Sequence, residues 1–218
     1  AYEFHDKAWG DLLVITMEFA PRDEAIEWAK QLTESEAYKE HKVIILTHSW
    51  LDTAGNRIKE EGYTLRPCNW AEAVWQKLVY PSKNICLVLC GHTGAAPKIE
   101  GDVAKTNFNP TSSYRVDKAA DGRNIPQMMF NSQQGDGDWN GNGGDCWLRI
   151  LEFKPDGKTI GVRTFSPMFA LSKLTQHLAW RTAEYDQYEI VIEQRILLYN
   201  KKNTAKLELA VFFIIYNY

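Results

Sequence analysis

The chain has no apolar run long enough to cross a bilayer as a helix. Its longest, LELAVFFIIYNY near the C-terminal end, falls short of the roughly 20 residues that a spanning helix requires. It also lacks an excess of positive charge. Lys and Arg total 25 against 28 Asp and Glu, a formal net charge of −3, and the basic residues form no stripe. Nucleic acid is therefore not expected as the main partner. Cysteine is sparse: Cys68, Cys86, Cys90 and Cys146 form no CxxC pair and no disulfide-dense spacing. Cys86 and Cys90 share one apolar run and are expected as buried free thiols on the same side of a strand. The opening residues show no charged region followed by an apolar one, so no signal peptide is read there, and the compartment stays undetermined. Aromatics are plentiful. Eight Trp, ten Tyr and nine Phe in 218 residues supply ample material for a core.

Leu12–Met17, Val43–Leu46 and Ile85–Leu89 are short, branched, wholly apolar runs, the pattern of strands buried on both faces. Between them lie two helical stretches. One starts near Pro21, with Asp23 and Glu24 complementing the dipole at that end and Ala25, Trp28, Ala29 and Leu32 forming an apolar stripe. The other runs from about Trp70 to Val79, with a stripe of Ala71, Val74, Trp75 and Leu78. Strand–helix–strand–helix–strand implies a parallel sheet with right-handed crossovers. Four further strand-like runs follow: Ile125–Gln133, Trp147–Phe153, Thr159–Phe165 and Tyr185–Glu193. Pro-Asp-Gly within 154–158 marks a hairpin turn. The fold class expected is α/β, a parallel βαβαβ unit followed by mostly antiparallel strands over residues 1–193. Residues 194–218 read either as a further edge strand or as an appended segment.

Two histidines stand out. His48 follows the second apolar run and His92 the third. In open α/β sheets ligands collect at the carboxyl ends of the parallel strands, and imidazole there is a rigidly held metal donor. A histidine at a strand end can equally cap the strand by bonding a loop carbonyl. His5, His41 and His177 lie in polar or chain-edge settings and receive no role. DGDWNGNGGDCW, Asp136 to Trp147, matches the first half of a calcium loop, but Trp147 stands where a bidentate glutamate is needed, so a loop between strands is the better reading. Ser49 lacks the G-x-S-x-G context of a nucleophile, and Asp52 could orient a neighbouring group, which spacing alone does not show.

VIILTHSWL and ICLVLCGHTG, in that order, resemble the last two metal motifs of calcineurin-like metallophosphoesterases. MEFAPRDEAIEWA, NIPQMMFNSQQ, GGDCWLRILEF and VRTFSP resemble further segments of one branch of that superfamily, so the resemblance covers about Gly10 to Glu193. It implies the C-terminal portion of a calcineurin-like αββα sandwich. It also implies hydrolysis of phosphate mono- or diesters at two divalent metal ions (Mn, Fe, Zn or similar), with His48 and His92 as ligands of the same ion. The family's second GHxH histidine falls on Gly94. Its Asp-x-His, Gly-Asp-x-x-Asp and Gly-Asn-His motifs are absent from the chain. The resemblance therefore implies an intact protein carrying those motifs upstream, with this chain alone inactive or nearly so and its catalytic residues unassigned. The alternative is a non-catalytic binding or scaffold module with a degenerate site, in which Trp139, Trp147 and Trp180 contact sugars or a partner.

Overall fold

The computed structural model describes residues 1–93, 112–132 and 146–193, and the backbone of 209–213. Strands β1 (Tyr2–Asp6), β2 (Gly10–Thr16), β3 (Lys42–Leu46), β4 (Ile85–Cys90), β5 (Ser112–Lys118) and β6 (Asn124–Phe130) form one sheet in the order β1-β2-β3-β4-β6-β5. The three wholly apolar runs are its centre and pair in parallel, as expected. β6 continues that parallel set against β4, although it comes from the half of the chain read as antiparallel. The antiparallel edges β1 and β5 escaped the sequence reading. Their outer faces meet water, so YEFHD and SSYRVDK carry too little apolar signal to register as strands.

The crossovers are helix α1 (Asp23–Glu34) and helix α2 (Ala71–Val74), which runs on through a π turn at Trp75–Val79. Ala71, Val74, Trp75 and Leu78 are all buried, as the spacing requires. On α1 the stripe is rotated from the expected one. Ile26, Ala29 and Thr33 are buried, whereas Trp28 is 45% exposed.

The second sheet comprises β7 (Leu148–Phe153), β8 (Thr159–Phe165), β9 (Trp180–Arg181), β10 (Tyr188–Val191) and β11 (Leu209–Phe213). It is antiparallel, ordered β10-β8-β7-β11 with β9 on β8. A short helix, α3 (Pro167–Leu171), follows β8. The pairing of β11 with β7 makes 209–213 of the tail an edge strand. Layers follow from side-chain parity. Leu13, Ile15, Val43, Ile45 and Val88 pack toward the helices, while Leu12, Val14, Ile44, Leu87 and Leu89 meet Leu151, Phe153, Ile160 and Val162 of the second sheet. The protein is a mixed α/β fold with a helix layer and two sheet layers.

Strand β4 departs from strict alternation. Val43 pairs with Ile85, but Ile44 pairs with Leu87, so β4 carries one extra residue. Cys86 therefore faces the second sheet and Cys90 the helix layer, correcting the expectation that both thiols share a side. Both are free and buried, and burial pushes each thiol up to about 12. Only the thiolate is reactive. A thiol titration of the native protein should modify exposed Cys146 first, with Cys86 and Cys90 reacting only after unfolding. Prompt reaction of either would contradict this packing.

Candidate functional site

Because β3 and β4 are parallel neighbours, residues just past their ends emerge side by side. His48 lies two residues beyond Leu46, and His92 two beyond Cys90. Thr47 N–H donates to the Leu89 carbonyl at 3.0 Å, and Gly91 N–H to the His48 carbonyl at 3.0 Å, carrying the strand pairing into the loops. The two imidazoles stand 4.7 Å apart between ring centres. His92 has φ of 64°, a left-handed conformation that costs a non-glycine residue about 1 kcal/mol or more and is typical of functional sites. Asn131 holds it there, its Nδ2 donating to the His92 carbonyl at 2.7 Å.

The loop after β2 supplies a wall. Phe19 lies 5.3 Å from each imidazole, 5.1 Å from Tyr63 and 5.8 Å from Trp70. Three consecutive parallel strands thus send Phe19, His48 and His92 to one place. A fourth member, Glu61, comes from the polar loop between β3 and α2. Its Oε2 accepts from His92 Nε2 at 2.9 Å, and its other oxygen accepts from the Ser49 hydroxyl. The Tyr63 hydroxyl is 3.5 Å from the same His92 nitrogen.

Glu61 was missed because it belongs to no motif. It is one of two adjacent carboxylates in NRIKEEGY, and only the folding of that loop singles it out. Burial, then the neighbouring His92, lowers the pKa of His48, with Glu61 acting in opposition. His48 is thereby kept neutral near pH 7, the form that offers a lone pair. Among the described residues, no group of three or more His, Cys, Asp or Glu side chains has the arrangement of a metal-holding cluster.

Asp52 and the remaining histidines lie away from this pair in settings of their own. Asp52 accepts from the backbone N–H of Ala54 at 2.9 Å and of Asn56 at 2.8 Å, a turn of its own loop. His5 pairs with Asp11 at 2.5 Å and His41 with Glu3 at 3.0 Å, both near the β1 edge. His177 lies in a short 3₁₀ turn, Gln176–Leu178. Trp147 is buried against Phe169 and Arg181, which leaves it no free ring face, whereas Trp180 packs on Phe165 and Arg163 but stays 40% exposed. Gly94, Trp139 and nearly all of the 136–147 loop lie outside the described residues.

The loop carrying Glu61 is tied to the sheet by a polar network. Arg57 donates to Glu72 at 2.7 Å and to Asp117 at 2.6 Å, and its guanidinium lies 4.3 Å from the Trp75 ring centre. Gln127 donates to Asp117 at 2.7 Å while accepting from Trp50 at 3.0 Å. Burial pushes the Asp117 carboxyl up, but bonds from Arg115 and Gln127 and the charge of Arg57 outweigh it and hold the group at about 2. A depressed carboxyl stabilises the fold above its unfolded value, 3.8, and that contribution disappears as pH falls through about 2. Its size is roughly 2 kcal/mol. Comparing urea midpoints of Asp117→Asn and wild type at pH 6 and pH 2.5 should show the difference shrinking at the lower pH. A pH-independent difference would assign the loss to geometry alone.

No protein-family model matches the chain. Over 166 residues it is 25% identical to the uncharacterized protein YvnB of Bacillus subtilis (strain 168). The match takes in 76% of this chain but 11% of YvnB. The chain thus corresponds to a small part of that much longer relative.

Proposed function

We propose that this chain is the histidine-bearing part of a calcineurin-like metallophosphoesterase, acting on phosphate mono- or diesters in the intact protein. The observation that carries the reading is the delivery of His48 and His92 to one point, two residues beyond the ends of adjacent parallel strands. The α/β/β layering and the ordered motifs are what a calcineurin-like sandwich would require. A pair of divalent ions would supply Lewis acidity and an activated water to such a reaction.

The contribution of this chain is to hold and orient. The Glu61 carboxylate beside His92 Nε2 fixes the ring, and the tautomer that donates from Nε2 to it would leave the Nδ1 lone pair for an ion, the usual arrangement of a metal-binding histidine. Ser49 steadies Glu61 from behind. Phe19, backed by Trp70, walls both imidazoles on one side, limiting water there. The remaining ligands would come from outside the described residues. A non-catalytic module is the second reading, favoured by Gly94 standing where the family has its second GHxH histidine.

The first test is equilibrium dialysis of the chain against Zn²⁺ or Mn²⁺, together with hydrolysis of p-nitrophenyl phosphate and bis(p-nitrophenyl) phosphate. One weakly held ion per chain, lost in the His48→Ala, His92→Ala double variant, with negligible hydrolysis, is the expected result. Equal binding by wild type and double variant would overturn the ligand assignment.

A further inference from the structure

A second concavity opens where the edges of the two sheets meet, with a volume of about 500 Å³, enough for a small organic ligand. β5 of the first sheet and β10 of the second form its sides, and loop residues 53–55 close one end. That loop is pinned in place. Ser113 Oγ donates to the Asp52 carbonyl at 2.7 Å and Arg115 to the Gly55 carbonyl at 3.0 Å. Tyr114, Tyr185 and Tyr188 line the cleft together with Glu184 and Glu189, and among the described residues no lysine or arginine lines it. The Tyr114 and Tyr188 rings meet edge-to-face, 5.6 Å apart.

Aromatic faces carry negative quadrupole potential, and a cation over them gains most where a carboxylate is near and water is partly excluded. Among the described residues, no side chain lining the cleft offers positive charge to an anionic ligand. Arg149 lies beneath the cleft, 2% exposed and 3.7 Å from Asp186, with its Nη2 donating to the Tyr185 carbonyl at 2.8 Å and its guanidinium 5.6 Å from the Tyr188 ring centre. Its Nε and Nη1 are buried and make no hydrogen bond with the described residues, so it presents no exposed donor to the cleft. Burial pushes the Tyr114 phenol up to about 12, so it stays neutral, and the cleft gains no further negative charge from that ring.

We propose that the tyrosine- and glutamate-lined cleft between β5 and β10 binds an organic cation, a quaternary ammonium or protonated amine group. The inference stands apart from the metal reading, because neither His48 nor His92 lines the cleft, and each can fail without the other.

The test is isothermal titration of the chain with choline chloride, beside its uncharged isostere 3,3-dimethylbutan-1-ol and beside glucose. Saturable choline binding at roughly millimolar Kd is expected. The neutral isostere should bind at least tenfold more weakly. Glu184→Gln with Glu189→Gln, two exposed positions whose substitution leaves the fold intact, should weaken choline at least fivefold, and Tyr114→Leu should do likewise with an unchanged melting curve. Equal binding of choline and its isostere would overturn the proposal, as would unchanged affinity in the glutamine variant. So would saturable glucose binding without choline binding, or no saturable choline binding at all.

Discussion

Substituting Gly157 by alanine should destabilise the protein by on the order of 3 kcal/mol, one of the largest single-site effects outside the core. Two independent penalties meet there. Gly157 has φ of 71°, which costs an L side chain about 1 kcal/mol. A Cβ at that position would also lie 2.4 Å from the Ala8 carbonyl oxygen, a backbone atom that cannot swing aside. The contact matters because it fastens the β7–β8 turn to the β1–β2 turn. Trp9 Nε1 donates to the Lys154 carbonyl at 2.8 Å, and the Trp9 ring packs edge-on to Phe153 at 4.8 Å. Urea unfolding should show a lower midpoint at unchanged slope. Gly157→Asn separates the penalties, since asparagine tolerates positive φ but still carries a Cβ. If asparagine is nearly neutral, the close approach to Ala8 is not a real constraint.

Loss of metal affinity is the second large effect. If His48 and His92 bind one ion, their joint replacement by alanine should abolish binding, and Glu61→Ala should weaken it 10- to 100-fold, the usual consequence of removing a carboxylate that orients a ligating histidine. Cobalt(II) makes the difference visible, because its visible absorption reports which donors hold it and in what geometry. Glu61→Gln should fall between alanine and wild type, since the amide oxygen still accepts from Nε2. Tighter binding in Glu61→Ala would mean that the carboxylate competes with the ion for His92 rather than positioning it.

The parts of this protein most legible in its sequence are those with a simple apolar pattern. β2, β3 and β4 announce themselves because burial on two sides leaves no room for polar residues, β7 and β8 by their branched and aromatic runs around a turn, and α2 by helical spacing of its stripe. The edge strands β1 and β5 of the first sheet do not, because water meets much of their surface. Trp28 misled because a large aromatic on an amphipathic helix is usually turned inward, yet here Ile26 and Ala29 fit the sheet and leave it at the surface. The same division holds at the site. His48 and His92 were found through their places after buried strands. Glu61 could not be, since its partnership with His92 spans 31 residues and depends on a loop whose course is set by Arg57, Glu72 and Asp117.

The extra residue in β4 is absorbed without putting the two imidazoles out of line. Before it, the pairing of β3 with β4 runs at an offset of 42 (Val43 with Ile85); after it, at 43 (Ile44 with Leu87, Leu46 with Leu89). Continued past the strand ends, the second offset puts His48 level with residue 91, one short of His92; the first would put it level with residue 90. The bulge thus takes up the extra residue, and the pairing beyond it holds the two imidazoles within one strand rise, ~3.3 Å, of level. Deleting Cys86 should remove the bulge, let Ile44 pair with Leu87 directly after Val43 with Ile85, and leave the histidines in step.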